Sequence, residues 1–61
     1  MEKLKITLSD GSIYNRWFES AYLRDQFIYK LELFEGLFID FVDEDRIVKV
    51  NPKFIIKLEM V

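Results

Sequence analysis

The stretch "KLKITLSDGSIYNRWF", residues 3–18, constrains this chain most, because apolar and polar residues alternate on both sides of Asp10-Gly11. Alternation sends successive side chains to opposite faces of a strand, and Asp-Gly readily accepts the positive φ values of a two-residue hairpin turn. With those two residues as the loop, Leu8 faces Ile13, Ile6 faces Asn15 and Leu4 faces Trp17. The predicted inner face is Leu4, Ile6, Leu8, Ile13 and Trp17, and Lys3, Lys5, Thr7, Tyr14, Arg16 and Phe18 take the other.

Residues 19–26, "ESAYLRDQ", break the alternation, so a short helix or 3₁₀ turn is expected at about 19–25. A rival reading runs one helix from Asn15 to about Phe27, with Trp17, Ala21 and Ile28 as its buried stripe. Alternation resumes at Phe27, Tyr29, Leu31 and Leu33, which predicts a strand over 27–34. A three-residue loop, Phe34-Glu35-Gly36, then sets Leu33 on Leu37, Leu31 on Ile39 and Tyr29 on Phe41, with Gly36 in the left-handed region.

"IDFVDEDRIVKV", residues 39–50, holds Asp40, Asp43, Glu44 and Asp45 and is the nearest thing to a chemical motif here. It reads as a hairpin: with 43–46 as the loop, Val42 faces Ile47, Phe41 faces Val48, Asp40 faces Lys49 and Ile39 faces Val50. Asp40 then lies between Lys30 and Lys49 in a cross-strand charge row. The spacing of a calcium loop is missing, so the acids mark a solvated tip. Asn51-Pro52 ends the ladder, and Phe54, Ile56, Leu58 and Met60 alternate along a last strand.

These elements make one domain, 1–61, all-β and mainly an antiparallel meander: a small barrel or curled sheet of five to six strands. A chain this short buries only about 60% of its unfolded surface. It has no cysteine for a disulfide and no histidine for a conventional zinc site, so apolar burial must hold it, and 51% of its residues are hydrophobic. A signal-peptide pattern and an apolar run of membrane-spanning length are both missing, which places the chain in the cytoplasm and away from membranes.

The ending "RIVKVNPKFIIKLEMV" resembles the close of SH3-like small barrels, where a strand meets a proline-containing 3₁₀ turn with an aromatic residue and then the final strand. "ITLSDGSIY" looks like the opening hairpin of Sm-like small barrels, and "VNPKFIIKLE" is similar to a segment of FlbD-type flagellar accessory proteins. What these likenesses imply is a small barrel.

Catalysis needs a nucleophile with a base, a paired acid and base, or a metal. Without His or Cys, a non-enzymatic chain with no cofactor and no small-molecule substrate is expected. After the inner face is filled, apolar residues remain: Ile28, Val42 and Ile47 are neighbours in the derived register, with Phe38 beside them. Such a patch points to a protein interface, formed with a second copy or with another protein. Six acids and no base lie from Glu32 to Asp45, which suits a partner with a basic surface. Lys30, Asp40 and Lys49 would fix orientation. The alternative is a single-stranded nucleic-acid binder that uses Lys3, Lys5, Tyr14, Arg16 and Phe18 for stacking and phosphate neutralisation.

Overall fold

The computed structural model describes residues 1–61 and contains five strands, a helix and a 3₁₀ turn. In chain order these are β1 (Glu2–Leu8), β2 (Ile13–Phe18), α1 (Ala21–Leu33), β3 (Ile39–Asp43), β4 (Arg46–Val50), the 3₁₀ turn Pro52–Phe54 and β5 (Ile55–Met60). All strand pairs are antiparallel, in a three-stranded sheet of order β2-β1-β5 and a two-stranded sheet β3-β4. The antiparallel β-rich fold read from the sequence is thus present, with the two sheets left unclosed rather than joined as a barrel.

The first hairpin forms, one residue out of the expected register. Thr7 pairs with Ile13, Lys5 with Asn15 and Lys3 with Trp17. The Leu8 N–H donates to the Ser12 carbonyl (2.8 Å) and that of Gly11 to the Leu8 carbonyl (3.0 Å), so Ser9 joins Asp10 and Gly11 in a three-residue loop. Only Gly11 takes a positive φ, 91°. The Ser12 N–H donates to the Asp10 carboxylate (2.9 Å), and this bond holds the Asp10 pKa below its ordinary value. One extra loop residue turns every β2 side chain over. Phe18 therefore enters the core, Tyr14 packs against it, and Ile13 and Trp17 are exposed beside Lys3, Lys5 and Thr7.

The larger correction is at residues 27–34, where the expected strand is the second half of α1. Its start agrees with the helical turn foreseen near 19–25: Ser20 is the N-cap and accepts from the Leu23 N–H at 3.2 Å. The helix then continues to Leu33, because Ala, Leu, Arg, Gln, Lys and Glu are strong helix formers and Ile28 is the only β-branched residue in it. At helical spacing, Arg24, Phe27, Ile28 and Leu31 form the face turned to the sheets, whereas Tyr22, Tyr29 and Leu33 lie exposed on the opposite face. The Leu31–Ile39 and Tyr29–Phe41 pairings do not form. Gly36 does not take a positive φ; a Cβ there would come within 2.7 Å of the tip of the Phe34 ring, which would have to shift to admit it.

The β3–β4 hairpin has the register read from the sequence, Ile39 with Val50, Asp40 with Lys49, Phe41 with Val48 and Val42 with Ile47. Its loop tightens to Glu44-Asp45, because Asp43 and Arg46 also pair and share an ion pair of 3.2 Å. Glu44 takes a left-handed φ of 56° there. The other Asp43 oxygen accepts from the Asn15 N–H at 2.8 Å, clasping the hairpin to the outer edge of β2.

The core lies where the two sheets and α1 meet: Leu4, Ile6, Phe18, Phe41 and Val50, with Leu8, Tyr14, Phe27, Ile28, Val48 and Ile55 packed around them. Tilted aromatic pairs run from Phe18 through Phe27 to Phe41 at 5.6 and 5.8 Å. Arg24 ties α1 to β1 through Glu2 at 3.0 Å.

Candidate functional site

The β3–β4 hairpin turns one face inward, with Ile39, Phe41 and Val50 buried, and by the same alternation turns the other out. That outer face carries the cross-strand pair Val42–Ile47, with Asp40–Lys49 next along the ladder, and Phe38 just ahead of β3. Val42 is 37% exposed, Phe38 58% and Ile47 67%. The Lys49 ammonium meets the Asp40 carboxylate at 2.7 Å. Glu44 and Asp45, both exposed, are the acidic tip beside Ile47, and no group of three acids converges there in a metal-holding arrangement.

Five of the seven residues expected to form the protein interface, Phe38, Asp40, Val42, Ile47 and Lys49, therefore belong to this one hairpin. The other two arrive differently. Ile28 is on α1 and packs against the core, not against Val42 and Ile47. Lys30, also on α1, lines a cleft between the helix and the hairpin together with Phe38, Asp40 and Lys49, but of the expected charge row only the Asp40–Lys49 pair forms an ion pair.

The cleft also contains Arg16, Phe27, Phe34 and Ile39. Arg16 points inward from β2 and its guanidinium lies 4.6 Å from the Phe18 ring centre and 4.7 Å from that of Phe27. This partial burial pulls its pKa down from the usual arginine value, though it remains cationic. Neither Arg16 nor Lys30 has a carboxylate within ion-pair distance, whereas Lys49 is matched by Asp40. The cleft thus has aromatic walls and an excess of positive charge, an arrangement suited to a carboxylate-bearing segment. Sequence reasoning missed Arg16, Phe27 and Phe34 as cleft residues; the helical spacing of Phe27, Lys30 and Phe34 was the signal that pointed to them.

The residues of the nucleic-acid alternative are divided between two faces. Tyr14, Arg16 and Phe18 look inward from β2, while Lys3 and Lys5 are on the outer face of the three-stranded sheet. On that outer face Lys3 sits over Trp17 (5.6 Å to the ring centre), and Glu59 is 3.8 Å from both Lys5 and Lys57.

Comparison with models of protein families, with curated proteins and with solved structures finds no match to this chain. No helix is long and apolar enough to cross a membrane.

Proposed function

We propose that this chain is a non-enzymatic interaction module that docks on a protein partner, or on a further copy of itself, through the outer face of the β3–β4 hairpin and the adjoining cleft. The observation that carries this reading is that Val42 and Ile47, paired on the hairpin's outer face, and Phe38 beyond the Asp40–Lys49 pair are left exposed on one side of the molecule. The accessible surface is 4436 Å², against about 4,200 Å² for a folded monomer of this mass. The exposure is thus not the result of an open fold. α1 takes Ile28 into the core and borders Phe38 only across the open cleft, so Phe38, Val42 and Ile47 stay accessible to a partner.

The chemistry of the surface describes its partner. Apolar side chains meet Phe38, Val42 and Ile47, an acid meets Arg16 and Lys30 in the cleft, and a base meets the Glu44–Asp45 tip. In this reading the two sheets are an unclosed variant of the SH3-like small-barrel plan. The 3₁₀ turn Pro52–Phe54 directly before a last strand paired to the first supports that. The module works in the cytoplasm, where a chain without cysteine forgoes no stabilising disulfide. Protein is favoured over nucleic acid because Glu59 offsets the lysines of the outer sheet face and the three aromatic-face residues are turned inward.

Val42→Lys tests this. The side chain is exposed, so circular dichroism stays that of the wild type, whereas a charge in the interface costs about 2 kcal/mol or more, roughly thirtyfold in affinity. Capture from an extract of the cells that make the protein, with and without nuclease, should yield nuclease-resistant protein on wild type and lose it on the variant. Equal capture by both, or capture that nuclease removes, overturns the proposal.

A further inference from the structure

β5 is an open edge of the three-stranded sheet, paired with β1 on one side and with no strand on the other. The other edge, β2, is clasped by Asp43. Antiparallel ladders alternate hydrogen-bonded and non-hydrogen-bonded pairs. The Val61 N–H donates to the Lys3 carbonyl at 3.0 Å, so Lys3–Val61, Lys5–Glu59 and Thr7–Lys57 are the bonded positions. The backbone N–H and C=O of Leu58 and Met60 consequently aim outward from the edge.

The side chains of these two residues are equally unfinished. Leu58 and Met60 stand across the ladder from Ile6 and Leu4, which are 0% exposed, yet are themselves 38% and 62% exposed. The helix packs mainly over β1 and β2 and faces β5 only across open grooves, one lined by Leu31, Glu32 and Leu58 and another by Ile28, Tyr29 and Met60. A core-side apolar strip and a row of free backbone groups therefore occur on the same strand.

We infer that a second copy of this chain covers β5, strand against strand and antiparallel, about a twofold axis at Leu58. The sequence Ile56-Lys57-Leu58-Glu59-Met60 selects the axis because it is charge-complementary to its own reverse. With Leu58 opposite the partner's Leu58, each Lys57 faces the partner's Glu59, at a non-hydrogen-bonded position where side chains are closest. Moving the axis to Lys57 sets lysine on lysine, and moving it to Glu59 sets glutamate on glutamate. The Leu58 backbone supplies the two central hydrogen bonds. The sheet becomes six-stranded, and Leu58 and Met60 continue its buried strip into the second copy. This surface is distinct from the hairpin face, and the inference stands independently of the docking proposed there.

A pair of charge variants tests the axis. In Lys57→Glu every cross-twofold pair becomes glutamate on glutamate, and in Glu59→Lys every pair becomes lysine on lysine. Both side chains are partly to largely exposed, so each variant keeps the wild-type circular dichroism. Sedimentation equilibrium should show two chains per particle for wild type and association at least tenfold weaker for either variant alone. An equimolar mixture should recover a one-to-one heterodimer, since the two variants are opposite in charge at both positions. Val42→Lys should leave the wild-type dimer intact. A wild type that stays one chain per particle at millimolar concentration overturns the inference, as does a variant that dimerises like wild type or a mixture that fails to recover. A dimer dissociated by Val42→Lys would place self-association on the hairpin face and overturn the β5 axis while leaving the docking proposal standing.

Discussion

Phe41→Ala is expected to abolish cooperative folding at room temperature. Phe41 is fully buried, and its ring lies 6.4 Å from Tyr14 and 5.8 Å from Phe27. One side chain thereby joins the β3–β4 hairpin to the three-stranded sheet and to α1. Truncating a buried phenylalanine costs about 3–5 kcal/mol, the loss of transfer energy plus the cavity left behind. At ~0.05–0.15 kcal/mol per residue, a chain of 61 residues has on the order of 3–9 kcal/mol in total. The cavity would open between three elements that share little backbone hydrogen bonding, so no single local shift fills it. Thermal melts followed by circular dichroism should show a sigmoidal transition for wild type and none for the variant. A variant midpoint within a few degrees of wild type would mean that the hairpin is held mainly by the Asp43–Asn15 clasp.

Gln26→Pro should cost nearly as much, for a backbone reason. Gln26 is exposed in the middle of α1, so replacing it disturbs no packing. Proline there removes an intrahelical hydrogen bond and clashes with the preceding turn, a penalty of about 3 kcal/mol. In a fold with a strand over 27–34, residue 26 would belong to the preceding connection and proline would be nearly harmless. Denaturant midpoints of the two proteins separate these cases: a large drop is expected, and equal midpoints would contradict the helix.

That contrast shows why part of the fold was hidden in the sequence. Phe27, Tyr29, Leu31 and Leu33 alternate, but Phe27 and Leu31 belong to the core face of α1 while Tyr29 and Leu33 belong to the opposite one. A helix apolar on two faces imitates a strand, and the opposing signal was its content of strong helix formers. At the first hairpin, Asp10-Gly11 correctly marked the turn, but dipeptide chemistry did not say whether Ser9 joined the loop. That single residue decided that Tyr14 and Phe18 face the core while Ile13 and Trp17 face water. The second hairpin was readable throughout, since its β-branched and aromatic alternation and its Asp40–Lys49 pair agree on one register.

The candidate site inherits this division. Phe38, Val42, Ile47, Asp40 and Lys49 were identifiable because their placement depends on that hairpin alone. Ile28 was lost to the core, and Arg16 was overlooked as a cleft residue, because their positions depend on the helix and on the length of the first loop. Lys30 reached the cleft by a route the sequence reading did not contain.

Photo-cross-linking from position 47 tests most directly whether the hairpin face is a protein-docking surface. Ile47 is replaced by a photo-reactive phenylalanine analogue, and the chain is irradiated in nuclease-treated extract of the cells that make it. A control chain carries the analogue at Lys53, which is exposed in the 3₁₀ turn, outside the β3–β4 hairpin. A discrete covalent adduct of higher mass, containing protein, is expected from position 47 and not from position 53. Position 47 giving no adduct, or only the same weak smear as position 53, would contradict docking through this face.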